Sequence, residues 1–188
     1  MNKIRFTIVG DSCGKTSLIQ RWCTPSQPIN PSKTIAIDMR SMTFKLGESV
    51  VCIQYWDCSG DMSFQSLLIP YLQNAELIMI CFDLTRAKSW LTAQYWSDVA
   101  LENTEGTPIC FIGTKLDQES KRFVKTPVVQ RYIRSIHGRN TFYCETSAYT
   151  GEKCKETLSM CIFESLRNSD KYTSLSFDAE KEKSCILM

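Results

Sequence analysis

An α/β fold, with a six-stranded, mostly parallel sheet and helices on both faces, is predicted by three features of the 188-residue sequence. Short β-prone runs alternate with stretches of helical spacing. The second and third runs lie close enough to pair antiparallel. A glycine-containing segment joins the first run directly to a helix.

Ile4–Val9 is the first β-prone run and ends at Gly10; Lys15–Cys23 follows with Leu18, Ile19 and Trp22 on one helical face. Residues 24–33 hold Pro25, Pro28 and Pro31 among serines and an asparagine, which predicts an exposed, movable loop. Ile37–Leu46 and Val50–Trp56 flank Gly47-Glu48-Ser49, a hairpin turn that makes one antiparallel pair at the side of the sheet. Strands at Leu77–Asp83, Pro108–Gly113 and Thr141–Cys144 then alternate with helices near Ala87–Leu101, Thr126–Ile136 and Glu152–Leu166. The last helix carries Cys154, Leu158, Cys161, Ile162 and Leu166 on one stripe. After Asn168 the chain turns polar with alternating Glu and Lys, so residues 1–167 are expected to form one domain and 168–188 a flexible tail.

Composition narrows the function classes. With 43% hydrophobic residues the chain can bury one core but not two. A net charge of +2, mixed along the chain, gives no basic stripe, which argues against a nucleic-acid partner. Ten cysteines scattered through apolar runs, without a charged-plus-apolar leader, are expected to be reduced thiols in the cytosol. The most apolar stretch, Leu77–Phe82, is too short for a bilayer and reads as a buried strand.

Four short motifs each follow a strand, the edge at which open α/β sheets bind ligands. In Gly10-Asp11-Ser12-Cys13-Gly14-Lys15-Thr16-Ser17, backbone N–H groups and a helix N-terminus would cradle phosphate oxygens. Lys15 would neutralise the β- and γ-phosphates, and the Thr16 hydroxyl would face magnesium. Asp57-Cys58-Ser59-Gly60 would put a carboxylate beside the magnesium shell and Gly60 where a γ-phosphate is sensed. In Thr114-Lys115-Leu116-Asp117, Asp117 can accept from the N1–H and exocyclic amine of guanine, a donor pair that adenine lacks. Glu145-Thr146-Ser147-Ala148 would bring backbone N–H groups to the guanine carbonyl oxygen.

Taken in this order, the motifs resemble those of a Ras-superfamily small GTPase, with the Rab branch fitting best. The resemblance spans about residues 3–167, through Ile35-Ala36-Ile37-Asp38-Met39, Tyr55-Trp56-Asp57, Phe64-Gln65-Ser66-Leu67, Tyr71-Leu72-Gln73-Asn74-Ala75, Phe82-Asp83-Leu84-Thr85 and Glu145 to Glu152. It implies the P-loop GTPase fold with about five helices, GTP and GDP as ligands, and magnesium held by Thr16, Thr34 and Asp57. It also implies phosphate contacts from Asp11 to Ser17, Thr34 and Gly60, and base contacts from Thr114, Lys115, Asp117, Ser147 and Ala148. Met39, Trp56 and Tyr71 match the apolar patch that effectors read. Implied partners are effector proteins, an exchange factor and an activating protein, with the chain itself a monomer.

The sequence departs from the family in several places. Only three residues separate Gly10 from Gly14, one fewer than in the usual phosphate loop. Asp61 stands where a glutamine normally orients the attacking water, so slow hydrolysis is expected and no residue is assigned as catalytic. Gln27 replaces an aromatic residue that packs on the base, Thr114 a commoner asparagine, and Tyr149 a lysine. Cys13 and Cys58 are expected to face the site, with a thiolate favoured beside Lys15.

Cys185-Ile186-Leu187-Met188 matches a prenylation signal, with farnesyl favoured by the final methionine. One lipid gives marginal anchoring, and Lys181 and Lys183 are offset by Glu180 and Glu182, so a reversible stay on the cytosolic face of a membrane is expected. The reading is a prenylated, Rab-like GTP/GDP switch in vesicle trafficking; the alternative is a degenerate GTPase fold serving as a static interaction scaffold.

Overall fold

The computed structural model describes residues 2–24, 26–28, 32–46 and 49–167. Six strands form one sheet: β1 (Asn2–Val9), β2 (Ile37–Leu46), β3 (Ser49–Cys58), β4 (Leu77–Asp83), β5 (Ile109–Thr114) and β6 (Thr141–Glu145). Their order is β2-β3-β1-β4-β5-β6. Every pairing is parallel except β2 with β3, which run antiparallel with Met39 opposite Trp56. The predicted hairpin pair is therefore present; Gly47 and Glu48 of its turn lie outside the described residues.

Five α-helices among the described residues cover the sheet: α1 (Lys15–Cys23), α2 (Gln65–Gln73), α3 (Ala87–Asn103), α4 (Thr126–Ser135) and α5 (Cys154–Arg167). Because successive strand residues point to opposite faces, a parallel strand covered on both sides must be apolar throughout. β4 and β5 are buried at every position. Leu77, Met79 and Cys81 of β4 enter one core with Leu18 and Trp22 of α1 and Ile162 of α5. Ile78, Ile80 and Phe82 enter a second core with Leu68 and Leu72 of α2, Trp90 and Trp96 of α3 and Val129 of α4, so the single core expected from composition is replaced by two, because the sheet is covered by helices on both faces. Burying one such side chain contributes about 1.5–3 kcal/mol, so the two cores hold the sheet rigid beneath its loops.

The elements differ from expectation chiefly at their ends. β3 runs through Cys58, and β5 and β6 take in Thr114 and Glu145, so these motif residues end their strands instead of following them. Ladder pairing carries them: Asp57 lies opposite Ile8 and Asp38, and Glu145 opposite Gly113. α2 was not predicted. Pro70 interrupts its pattern, yet Leu68 and Leu72, four residues apart, are both fully buried. No helix among the described residues is long and apolar enough to cross a membrane. Nine cysteines are described and all are free thiols; Cys185 and the rest of the tail lie outside the described residues.

Candidate nucleotide site

The carboxyl ends of β1, β3, β4, β5 and β6 meet along one edge, and every motif predicted to bind the nucleotide sits there. After β1 the chain turns at Gly10 with φ +136°, and a Cβ at this position would collide with the Cys81 carbonyl, so only glycine fits. The loop delivers the chain into α1, whose first intrahelical bond runs from Leu18 N–H to the Gly14 carbonyl at 3.0 Å. The N–H groups of Lys15, Thr16 and Ser17 thus have no intrahelical acceptor and form the positive end of the helix dipole. Lys15 is buried beside them, and its Nζ donates to the carbonyls of Gly10 at 2.8 Å and Asp11 at 3.0 Å.

At the end of β3, Asp57 is fully buried. Its Oδ2 accepts from the hydroxyls of Thr16 at 2.5 Å and Thr34 at 3.3 Å, and those hydroxyls stand 3.0 Å apart. Its Oδ1 is buried without a hydrogen-bond partner among the described residues. Burial pushes the Asp57 carboxyl above its ordinary range, against the lowering pull of Thr16, Lys15 and Thr34. Two hydroxyls and a carboxylate with one orphaned oxygen suit a hard divalent cation with oxygen ligands, such as magnesium.

Two adjoining cavities extend from this point. One of about 510 Å³ runs along Ser12, Lys15, Thr16, Thr34 and Gly60. The other, about 290 Å³, is lined by Thr114, Lys115, Asp117, Ser147, Ala148 and Tyr149. They share Gly14 and Ser17, so the cavity lined by the residues predicted for phosphate (the phosphate end) and the one lined by those predicted for the base (the base end) lie on either side of the α1 N-terminus. Asp117 is exposed, and its Oδ1 accepts from the buried Ser147 hydroxyl, which fixes the carboxylate at the base end.

Several residues sit differently from their expected roles. The Thr114 hydroxyl is buried and donates its one proton to the nearer Cys13 carbonyl at 2.6 Å, with the Phe82 carbonyl also within reach at 3.0 Å, so it ties the base loop to the phosphate loop. Lys115 adopts φ +62° and extends its Nζ to Asp83 at 2.6 Å. Asp61 lines the phosphate cavity but turns its carboxylate to the Ser63 N–H at 2.9 Å, capping the 3-10 turn Met62–Phe64. That bond holds the exposed Asp61 carboxyl below its ordinary range. Gln27 is exposed, whereas Pro28 lines the base cavity. Cys58 does not become a thiolate near Lys15: burial pushes its thiol up to about 12. Cys13 does line the base cavity, as expected, with its side chain packed in the core beneath the loop; burial opposes its charge, but the Cys81 hydrogen bond and Lys15 bring its thiol below the ordinary range.

Met39, Trp56 and Tyr71 come together on one surface. Met39 is exposed opposite Trp56 in the β2–β3 ladder, and the rings of Trp56 and Tyr71 lie 4.9 Å apart between centroids.

The model of the Ras family matches residues 5–167. The chain belongs to the Ras family. As a Ras-family domain it is a small GTPase by fold, a class that in general binds GTP and GDP with magnesium and works with effectors, exchange factors and activating proteins. It is also similar to the human EF-hand calcium-binding domain-containing protein 4B, with 30% identity over 156 residues. That match covers 82% of this chain and 21% of the relative, so the chain spans about a fifth of the relative's length.

Asp83, quoted from the sequence only within the resemblance, and Arg86 were given no role from sequence, yet both touch the loops around these cavities without lining them. Asp83 is fully buried at the end of β4 and receives Lys115, Thr85 and Arg86. Burial alone would raise its carboxyl, but the Lys115 and Thr85 bonds bring it below the ordinary range. A carboxylate ending a wholly apolar strand was the available signal.

Proposed function

We propose that this protein is a Rab-like, GTP/GDP-dependent switch with slow intrinsic hydrolysis, which recruits effectors on a cytosolic membrane face in vesicle trafficking. The observation that carries the reading is the pair of adjoining cavities sharing Gly14 and Ser17, with Asp57, Thr16 and Thr34 at one end and Asp117 with Ser147 at the other. Lys15, the first-turn N–H groups of α1 and Gly60 hold the phosphates; Thr16, Thr34 and Asp57 hold magnesium, which supplies countercharge when bound. Asp117, Lys115, Ser147 and Ala148 select guanine.

Thr34 and Gly60 connect the phosphate end to residues 32–37 and 60–71; the first segment leads into Met39 opposite Trp56, and the second ends at Tyr71. A change at the phosphate end therefore alters the surface offered to an effector. Asp61 holds the Ser63 N–H instead of a water, which supports slow turnover and dependence on an activating protein. Farnesylation at Cys185 supplies reversible membrane attachment of a monomer.

Calorimetry with GTP, GDP and ATP in the presence of magnesium, with phosphate release followed in the same samples, tests the reading. Guanine-specific binding and slow phosphate release are expected. A folded protein that binds none of the three would leave only an interaction scaffold. The shortened phosphate loop favours that second reading.

A further inference from the structure

The phosphate loop is one residue short of the usual pattern, yet each of its carbonyls from residue 10 to 13 has a partner. Gly10 and Asp11 carbonyls take Lys15 Nζ at 2.8 Å and 3.0 Å, and the Cys13 carbonyl takes the Thr114 hydroxyl at 2.6 Å. The Ser12 carbonyl takes Arg86, at 3.0 Å. In a planar trans peptide the C=O and the following N–H point opposite ways. Drawing the Cys13 carbonyl to Thr114 therefore turns the Gly14 N–H away from that bond, and the same control over the Ser12–Cys13 peptide falls to Arg86; the Cys13 N–H opposite turns into the loop, where it donates to the Asp11 carbonyl at 2.6 Å, a bond that an incoming anion would replace.

Arg86 reaches across from the N-terminus of α3. One terminal nitrogen donates to Asp11 Oδ2 at 3.2 Å as well as to the Ser12 carbonyl, while Nε donates to Asp83 Oδ2 at 3.1 Å. The same Asp83 oxygen takes Lys115, so one buried carboxylate anchors both the base loop and the guanidinium that grips the phosphate loop. A planar fork can make these bonds together, whereas an ammonium cannot span them in the same arrangement. Arg86 is absent from the lining of both cavities, so its contact with the nucleotide is indirect.

We propose that Arg86 is the positioning residue that keeps the shortened phosphate loop in an anion-accepting shape. The proposal rests on the guanine-nucleotide reading above. It separates from general stabilisation by its dependence on phosphate: loss of the brace weakens binding of GDP and spares binding of guanosine, which touches only the base end.

The test compares the full chain with its Arg86→Gln and Arg86→Lys variants, measuring affinity for GDP with magnesium and for guanosine, and melting without nucleotide. Removing a charge-assisted hydrogen bond to the loop is expected to weaken GDP by about tenfold in R86Q, with guanosine changed less than about twofold. R86K, which keeps the charge beside Asp83, is expected to fall between; it carries the same comparison if R86Q does not fold. GDP affinity equal to wild type, or equal losses for GDP and guanosine, would overturn the proposal while leaving the nucleotide reading intact. A wild-type chain that binds neither ligand would overturn both.

Discussion

Asp117 and Asp61 are both acidic loop residues, but their surroundings give them different work. Asp117 is held by Ser147 beside the second cavity, where under the proposed function its carboxylate meets the guanine donor pair. Asp117→Ala is expected to weaken GDP by roughly ten- to a hundredfold, the loss of charge-assisted bonds, when measured by calorimetry. Asp61 caps the turn at Met62–Phe64. Asp61→Gln exchanges a good cap for a poorer one and places a neutral amide beside the phosphate cavity. The variant is expected to melt lower, by about 0.5–2 kcal/mol of stability, and to release phosphate faster than wild type. A rate at or below wild type would show that Asp61 does not slow turnover. Lys15, Thr16, Asp57 and Asp117 could be placed together at the carboxyl edge from the sequence, because each motif lies at or just beyond the end of a strand. Asp83 and Arg86 were not legible in this way, since their meaning arises from contact with Lys115 and with Asp11, the latter 75 residues away from Arg86. The cap made by Asp61 was equally hidden, because a loop carboxylate can face either solvent or a nearby N–H.

At the scale of elements, the central strands were the most legible, since burial on both faces leaves an unbroken apolar run. α2 was the least. Its nine residues include Pro70, which lacks the N–H that would bond the Ser66 carbonyl, and its evidence lies only in the spacing of Leu68 and Leu72. Leu72→Ala removes the second of these anchors from a closed core and is expected to cost about 2–5 kcal/mol in denaturant unfolding. β6 is joined to α4 by a different means. Glu145 receives both terminal nitrogens of Arg122, at 3.0 Å and 2.7 Å, together with the hydroxyls of Thr126 and Tyr143. Burial opposes its charge, but these bonds depress the carboxyl to about 2. A depressed carboxyl stabilises the fold above its unfolded pKa of about 4.3, and that contribution is lost as pH falls through about 2. Glu145→Gln is therefore expected to flatten the acid limb of stability between these values, by about 1–2 kcal/mol after solvent screening. An unchanged acid limb in the variant would assign the ion pair no role in stability.

Across the whole molecule, two cores on opposite faces of one sheet leave the carboxyl edge free of packing duties. The edge can therefore be lined with polar loops whose stability comes from ligands. Binding to the native state alone raises stability by about 2.7 kcal/mol at a hundredfold excess over Kd, so GDP with magnesium is expected to raise the melting temperature in a concentration-dependent way, and ATP is not. The mostly parallel sheet and the placing of motifs at this edge were legible from alternation along the chain, but the order of the strands and the junction of the two cavities at Gly14 and Ser17 needed the chain to be placed in space. The aromatic patch has one more consequence. Of the four tryptophans, Trp22, Trp90 and Trp96 are buried at 5%, 8% and 1% exposure, whereas Trp56 lies half-buried against Tyr71. The protein carries its own optical reporter: a change in emission on exchanging GDP for a slowly hydrolysed GTP analogue would arise mainly from Trp56, and Trp56→Phe would silence it.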